Sequence, residues 1–215
     1  MRIKDLGRPI GHSANLYDWG EKQVIKVYEP TDPRDFIVEL GKKEKTLHEA
    51  GLPVPAVGEL IEIEGRLAQV YERIEGRTFA DELLTVRGPE EECIERLALQ
   101  FAEAQAKIHS FQGLDLDVPT QKEMFPVVLE RVDLLSPALK KSILRRLEEL
   151  PEGDRLCHGD YHPFNIIQSP RGPIVIDWNN SHKGNPLEDV ARSVVMCEGF
   201  RLMMPEIDSA VVRYT

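Results

Sequence analysis

The sequence is short of positive charge. It holds 27 Lys and Arg residues against 37 Asp and Glu residues, which gives a formal net charge of −10. Proteins that bind duplex nucleic acid gain most of their affinity by neutralising phosphates with clustered basic residues, and no basic stripe is present here. Docking on an anionic membrane surface needs the same kind of cluster. We therefore expect neither nucleic acid nor a membrane as a partner.

Paired cysteines and long apolar runs are also lacking. Cys93, Cys157 and Cys197 are far apart and show no C-x-x-C spacing, which disfavours a disulfide framework and a cysteine zinc site. No segment approaches the roughly 18 apolar residues that span a bilayer, and the first residues lack the apolar core of a signal peptide. These features predict a cytoplasmic protein.

The composition that remains is typical of a soluble globular chain. Hydrophobic residues make up 41% and charged residues 30% of the 215 positions. A chain of this length buries roughly 70% of its unfolded surface, which is enough for one large domain or two small lobes.

The first third of the chain predicts two β-hairpins with a helix between them. Apolar runs at 14–19 and 22–28 flank a turn, and the segment 59–73 folds back at Gly65. The helix is expected from Thr31 to Gly51, since turn and cap residues stand at both ends.

One residue of this helix does not fit its pattern. Glu44 falls inside the apolar stripe, so it needs a cationic or hydrogen-bonding partner if it is buried. Gly41 weakens the helix and allows a break there. The predicted stripe consists of Phe36, Ile37, Leu40 and Leu47.

The remaining two thirds are mainly helical. Helices are predicted at 89–109 and 136–150, followed by short strands at 155–158, 165–168 and 173–177. A last helix is expected from Pro186, with Glu188 placed for a capping box. Its predicted buried face consists of Leu187, Val190, Ala191 and Val194.

This order of elements predicts an α+β fold with two lobes. Residues 1–74 would form a small β-rich lobe with one helix, and residues 75–215 a mainly helical lobe with a small β insertion. A cleft between two lobes is the usual place for a ligand.

Polar residues that can carry chemistry are concentrated at 156–180. Asp160, Asn165 and Asp177 stand at the ends of apolar strands, and their hard oxygen atoms suit Mg²⁺. Asn165 lies five positions after Asp160, which is the spacing of the kinase catalytic loop. Asp177 and Trp178 then occupy the place of the kinase metal-binding element.

At these positions the sequence resembles the aminoglycoside phosphotransferase and choline kinase superfamily. The resemblance covers roughly residues 10 to 195 and implies a protein-kinase-like fold. It also implies transfer of the γ-phosphoryl group of ATP or GTP to a hydroxyl of an aminoglycoside-like, choline-like or amino-sugar-like molecule. The motifs that carry it are His158-Gly-Asp-Tyr-His-Pro163, Asn165, Ile176-Asp-Trp178, Gly184, Pro186 and Asp189.

The resemblance implies roles for the main site residues. Asp160 is expected to act as the catalytic base or to orient the hydroxyl, and Asn165 and Asp177 to bind Mg²⁺. Lys26 is expected to contact the phosphates of the nucleotide. Glu44 would pair with Lys26, which would explain an acid in an apolar stripe.

Further nucleotide-binding and supporting roles follow from the same resemblance. A turn over the phosphates is expected at Gly11, Ser13 and Asn15, and a connector that offers backbone groups to adenine at Glu72 and Ile74. The catalytic loop is expected to be supported by His158, His162 and Asp189.

Two other interpretations stay open at the level of sequence. The chain could be a nucleotide-binding module without transferase activity. It could also be a zinc hydrolase that uses His158, Asp160 and His162, with His182 or His12 as a further ligand. Within the main interpretation, the acidic balance weakly favours a cationic acceptor. The short sequence after Asp189 is expected in a minimal or a truncated family member.

Overall fold

The computed structural model describes residues 2–10, 15–85, 91–112 and 116–203, and side chains for all of these except 91 and 201–203. The chain divides into two compact units. The first comprises Met1–Phe79 with Phe164–Ile176, and the second Ala80–Pro163 with Asp177–Thr215. Residues 75–79 and 164–176, which lie beyond position 74, therefore belong to the first unit. The prediction of an α+β fold is confirmed, because the first unit contains most of the sheet and the second most of the helices.

The main sheet of the first unit is antiparallel, with the strand order β1-β2-β4-β3. Both predicted hairpins are confirmed, since β1 pairs with β2 and β3 pairs with β4. One face packs into a core formed by Tyr17, Ile25, Val27, Ile63, Ala68 and Val70. The strands are β1 (Leu16–Asp18), β2 (Gln23–Val27), β3 (Val57–Ile63) and β4 (Arg66–Glu72).

The predicted helix between the hairpins is α1 (Arg34–Glu49), and it runs through Gly41 without a break. Close packing explains the glycine, because a Cβ atom at this position would lie 2.8 Å from Oε1 of Gln69 on β4. The prediction that Phe36 lies on the buried face of this helix is wrong, because 42% of the residue is exposed. Glu44 does lie on the buried face, together with Ile37, Leu40, Gly41 and Leu47.

A second, smaller sheet of the first unit has the order β5-β7-β8. It consists of β5 (Arg77–Thr78), β7 (Ile166–Ser169) and β8 (Gly172–Val175). Strands β7 and β8 confirm the predicted hairpin at 165–177, whereas β5 was not predicted. The hairpin is tied to the rest of the unit because the Val175 N–H donates to the carbonyl of Pro53, 2.6 Å away.

The second unit contains most of the helices and a two-stranded sheet. Helices α3, α5 and α6 and strand β6 were predicted, whereas α2, α4 and β9 were not. Strand β6 pairs antiparallel with β9. The elements are α2 (Phe79–Thr85), which begins at the boundary, α3 (Glu91–Ser110), α4 (Gln121–Glu130), α5 (Pro137–Glu149), β6 (Arg155–Cys157), β9 (His182–Gly184) and α6 (Pro186–Met203).

The buried face of α6 differs from the prediction. Leu187 is 74% exposed and Val190 is also exposed, while the helix buries Asp189, Ser193 and Cys197 instead. Glu188, which was predicted to close a capping box, has one carboxylate oxygen 2.9 Å from Nε2 of His182. The helix is therefore oriented by polar contacts, which a count of apolar residues does not reveal.

Within the described residues, the helices lack the combination of length and apolar character that crossing a bilayer requires.

Candidate active site

The candidate catalytic loop follows β6 and begins at His158. Its turn depends on Gly159, which has a φ of +74°. A Cβ atom at this position would lie 2.3 Å from the carbonyl oxygen of Asn180, so only glycine allows the two backbones to approach this closely. The turn presents Asp160 immediately after a buried strand.

Asp189 of α6 holds this loop in place through hydrogen bonds. Its carboxylate accepts hydrogen bonds from the backbone N–H of Gly159 at 2.8 Å and of His158 at 3.1 Å. Nε2 of His109, at the end of α3, lies 2.9 Å from the same carboxylate. Burial alone would raise the pKa of Asp189, but the hydrogen bonds from His109 and Gly159 outweigh burial and lower the pKa to about 2. The aspartate is thus an ionised, fully buried anchor for the loop.

Aromatic packing makes the loop rigid. The hydroxyl of Tyr161 donates to the carbonyl of Phe101 at 2.6 Å, and the two rings are in contact. The His158 ring meets Trp178 edge to face, with 4.6 Å between the ring centroids. Because His158, Tyr161 and Trp178 are fully buried, the backbone that carries Asp160 has little room to move.

Asp160 is the exposed acid at the centre of this arrangement. Its backbone N–H donates to Nδ1 of His158 at 3.2 Å, and 23% of its side chain is exposed. Nε2 of His162 lies 3.7 Å from one carboxylate oxygen and Nη2 of Arg192 lies 3.6 Å from the other. The neighbouring His162 lowers the pKa of Asp160 more than burial raises it, and Arg192 adds to the lowering. The carboxylate is therefore ionised at neutral pH.

Asp177 begins the short 3-10 helix Trp178–Asn180 in the second unit. Its φ of 65° places it in the left-handed region, which is uncommon for a residue with a side chain. One carboxylate oxygen accepts a hydrogen bond from the amide of Asn179 at 2.5 Å. A conformation of this kind is typical of residues whose direction is fixed for function.

Asn165 belongs to the first unit. It ends the short 3-10 helix Pro163–Asn165 and directly precedes β7. Its carbonyl accepts a hydrogen bond from the Ile176 N–H at 2.9 Å, which ties the two ends of the β7–β8 hairpin together. The residue is buried.

The first unit also contains Lys26 and Glu44, which are connected through two tyrosines. The carboxylate of Glu44 accepts a hydrogen bond from the Tyr71 hydroxyl at 2.6 Å, and the Tyr71 and Tyr28 hydroxyls are 3.3 Å apart. The Lys26 ammonium lies 5.6 Å from the centroid of the Tyr28 ring. Burial and the nearby Glu44 raise the pKa of Tyr71 well above its usual range, so its hydroxyl keeps its proton. A direct Lys26–Glu44 pair stays a prediction.

The other predicted nucleotide contacts are distributed over the first unit. Gly11 and Ser13 lie outside the described residues. Asn15 donates from its side chain to Glu29 at 2.9 Å, and its carbonyl accepts from the Val27 N–H at 2.9 Å. Ile74 lies just after β4 and is half-buried.

Glu72, which ends β4, holds two segments of the first unit together. One of its carboxylate oxygens accepts from the Arg171 guanidinium at 2.8 Å, and the other accepts from the Ala56 N–H at 3.2 Å. Its side chain is thus occupied by protein contacts.

The zinc interpretation finds no support in the geometry of the described residues. Two groups there bring three potential ligand atoms close enough for one ion, and neither contains Asp160 or His162. Both share Cys157, and burial raises the pKa of its thiol far above neutrality, so it is a poor ligand. His12 lies outside the described residues. The groups are His109, Cys157 and Asp189, and Cys157, His182 and Glu188.

Three residues of the site have contacts that were not predicted at the level of sequence. Tyr71 could have been found, because alternation along β4 places it opposite the helix that carries Glu44. Arg192 could have been found as the residue one helical turn after Asp189. His182 was considered only as a zinc ligand, and its contact with Glu188 was not predicted because β9 itself was not predicted.

Solved structures similar to this chain include three small-molecule kinases. APH(3'')-Id from Streptomyces rimosus, in complex with ADP and streptomycin, is 17% identical with a TM-score of 0.65, over 98% of this chain and 86% of that chain. An amicoumacin kinase in complex with AMP-PNP, Ca²⁺ and Ami is 15% identical with a TM-score of 0.61, over 98% and 74%. A choline/ethanolamine kinase family protein from Mesorhizobium loti is 16% identical with a TM-score of 0.60, over 97% and 68%.

These similarities confirm the predicted protein-kinase-like fold. A comparison with curated protein sequences finds no match. A comparison with sequence models of protein families finds the one described as the phosphotransferase enzyme family, and the match extends over residues 11–213. Because this match spans nearly the whole chain, the protein belongs to the phosphotransferase enzyme family.

Proposed function

We propose that this protein transfers the γ-phosphoryl group of a nucleoside triphosphate to a hydroxyl group of a small molecule. The observation that carries the proposal is Asp160: an ionised, partly exposed carboxylate on a loop that the buried Asp189 holds in place. Such a loop suits phosphoryl transfer, in which the protein positions the reactants and stabilises charge and does little covalent chemistry.

In the proposed mechanism, Asp160 accepts a hydrogen bond from the acceptor hydroxyl and orients its oxygen toward the γ-phosphorus. The hydroxyl proton passes to the carboxylate as the new O–P bond forms. His162 and Arg192 keep the pKa of Asp160 low, so the carboxylate is a weak base that serves mainly to orient the hydroxyl. The rigid packing of His158 and Tyr161 limits the positional freedom that would slow such a step.

The nucleotide is proposed to be ATP, with GTP as the alternative, bound by the first unit. Lys26 supplies the positive charge for the phosphates. Glu44 and Tyr71 orient it through Tyr28, whose hydroxyl lies 3.3 Å from that of Tyr71 and whose ring centroid lies 5.6 Å from the Lys26 ammonium. Asn15 contributes near the phosphates, and backbone groups around Glu72 and Ile74 contact the base. The complexes of similar enzymes with ADP and AMP-PNP support this proposal.

Asn165 and Asp177 are the residues that would hold Mg²⁺. One amide oxygen and one carboxylate are hard oxygen donors of the kind this ion prefers, and the fixed left-handed conformation of Asp177 is consistent with a directed ligand. When bound, Mg²⁺ neutralises charge on the phosphates of the nucleotide.

The test is acceptor-dependent release of ADP from ATP, with aminoglycosides, choline, ethanolamine, sugars, amino sugars and hydroxy acids as acceptors. We expect at least one of them to stimulate ADP release and to yield a phosphate ester visible by ³¹P NMR. Nucleotide binding by calorimetry without ADP release for any acceptor would contradict the proposal and favour a catalytically silent module.

A further inference from the structure

Arg192 of α6 is the charged residue of the candidate site to which the family resemblance assigns no role. It lies one helical turn after Asp189, so the same helix provides the buried anchor of the loop and a guanidinium beside its exposed acid. Nη2 of Arg192 is 3.6 Å from an oxygen of Asp160. This distance is too long for a hydrogen bond, so the contact is ionic.

The Arg192 guanidinium has N–H donors that its contact with Asp160 does not use. Arginine offers five N–H donors. Nε is buried and makes no hydrogen bond, whereas 40% of the whole side chain is exposed, so the exposure lies at its other atoms. Within the described part of the chain, Asp160 is the one acid at ion-pair distance from Arg192. The exposed donors are therefore free to bind an anion next to Asp160.

A second residue of α6 contacts the loop that carries Asp160. Phe200, two turns after Arg192, meets the His162 ring edge to face at 5.1 Å between centroids. Next to it, a Cβ atom on Gly199 would find no other atom within 4 Å. The helix thus places a cation beside Asp160 and, about two turns further on, an aromatic ring beside His162.

From this arrangement we propose that the phosphoryl acceptor is a small hydroxy acid, whose carboxylate binds Arg192 while its hydroxyl binds Asp160. The proposal rests on the proposed function and specifies its substrate class. The planar fork of arginine matches a carboxylate, whereas a cationic acceptor would be repelled at this point. Hydrogen bonds of about 2.8 Å at each end keep the two groups of the acceptor within roughly 9 Å of each other.

The proposed reaction needs only the nucleotide and the acceptor as reactants. The hydroxyl oxygen forms a bond to the γ-phosphorus, and the bond between that phosphorus and the β–γ bridging oxygen breaks. ADP leaves with the electron pair, and the hydroxyl proton passes to Asp160 and then to solvent. The carboxylate of the acceptor remains unchanged and serves only for binding.

The test compares hydroxy acids with their uncharged primary amides in the same ADP-release assay. The pairs are glycolate, 3-hydroxypropanoate, 4-hydroxybutanoate and glycerate, each with its amide. We expect at least one acid to be a better acceptor than its amide. Arg192→Gln should lower kcat/KM for that acid about 10- to 100-fold more than kcat/KM for its amide, and the additional loss should lie mainly in KM. Arg192→Lys should restore part of the loss, and Arg145→Gln, on the exposed face of α5, should change neither.

Three outcomes would overturn the proposal. Phosphorylation of an aminoglycoside, choline or a sugar without any hydroxy acid would do so and leave the proposed function intact. An equal loss for acid and amide in Arg192→Gln would show that Arg192 acts only on Asp160. If no acceptor supports ADP release, the proposed function fails. Calorimetric titration of the four acids with AMP-PNP and Mg²⁺ then tests the carboxylate site at Arg192 alone. Weaker binding to Arg192→Gln than to the unmodified protein supports this site, and equal binding to both, or lack of binding to the unmodified protein, overturns it.

Discussion

At the scale of single residues, the site depends on buried charges that are fully hydrogen-bonded. Asp189 is held by two backbone N–H groups and by His109, and in turn it fixes the loop that carries Asp160. A buried carboxylate without such partners would take up a proton. The partners therefore decide both the charge of Asp189 and the shape of the loop.

Replacing Asp189 should be costly for this reason. Asp189→Asn replaces one carboxylate oxygen with an NH2 group, which would face an N–H donor of its present partners. Breaking a buried charged network of this kind costs about 3 kcal/mol in the free energy of unfolding. Urea denaturation near pH 7 measures it. Asp133→Asn, at an exposed position, is the control and should change stability by less than about 0.5 kcal/mol. Equal stability of both variants would refute the anchoring role.

The same residue gives a pH dependence with a defined sign. The pKa of Asp189 is about 2 in the folded protein against an ordinary value of 3.8. Because the folded value is the lower one, the stabilisation is present above pH 3.8 and is lost as the pH falls through about 2. The stability difference between the unmodified protein and Asp189→Asn should therefore shrink from pH 6 to pH 3. A constant difference would contradict this assignment.

At the scale of elements, helix α1 shows how tertiary packing overrides local preference. Gly41 weakens an isolated helix, yet α1 is continuous because the small residue admits Gln69. The amide of Gln69 donates to the carbonyls of Gly58, Glu59 and Val70, so it cannot move aside without losing these bonds. A residue without a side chain is thus needed at position 41 because Gln69 of strand β4 packs against it.

Two glycine-to-alanine substitutions separate these effects. Gly199→Ala, in open space on α6, should stabilise the protein by up to about 1 kcal/mol, as helix propensity predicts. Gly41→Ala should instead destabilise it by about 1 to 2 kcal/mol, because the new methyl group displaces Gln69. Thermal unfolding of both variants measures the difference. Stabilisation by Gly41→Ala would refute the packing explanation.

The sequence allows regular elements to be predicted where apolar residues repeat and cap residues mark the ends. The hairpins of the main sheet and helices α1, α3 and α5 belong to this class. Helix α6 was located correctly, but its buried face was not, because Asp189 and Ser193 are buried by hydrogen bonds. Strand β9 was missed because its sequence, His-Lys-Gly, contains no apolar residue and includes a glycine.

The residues of the candidate site also divide into those that the sequence predicts and those that it does not. Residues in a spaced motif, such as Asp160 and Asn165, were predicted from the sequence alone. The pairing of Glu44 with Lys26 stays a prediction. The hydrogen bond from Tyr71 to Glu44 was not predicted, because Tyr71 lies 27 residues further along the chain. Arg192 was missed because no motif marks a residue whose relevance comes from a helix packing beside a loop.

At the scale of the whole molecule, the net charge and the charges next to Asp160 differ in sign. The net charge of −10 weakly favours a cationic acceptor, whereas the groups beside Asp160 are His162 and Arg192. Exposed charges more than about 10 Å away are largely screened at physiological ionic strength, whereas a guanidinium at 3.6 Å is not. The local arrangement therefore takes precedence in the proposed choice of acceptor.

The central claim is that Asp160 orients the acceptor hydroxyl in a phosphotransferase, and Asp160→Asn tests it most directly. The substitution keeps the shape of the side chain and removes the carboxylate. We predict that kcat for acceptor-dependent ADP release falls by at least about 100-fold, while ATP affinity by calorimetry and the midpoint of thermal unfolding change little. Turnover close to that of the unmodified protein in the folded variant would contradict the account.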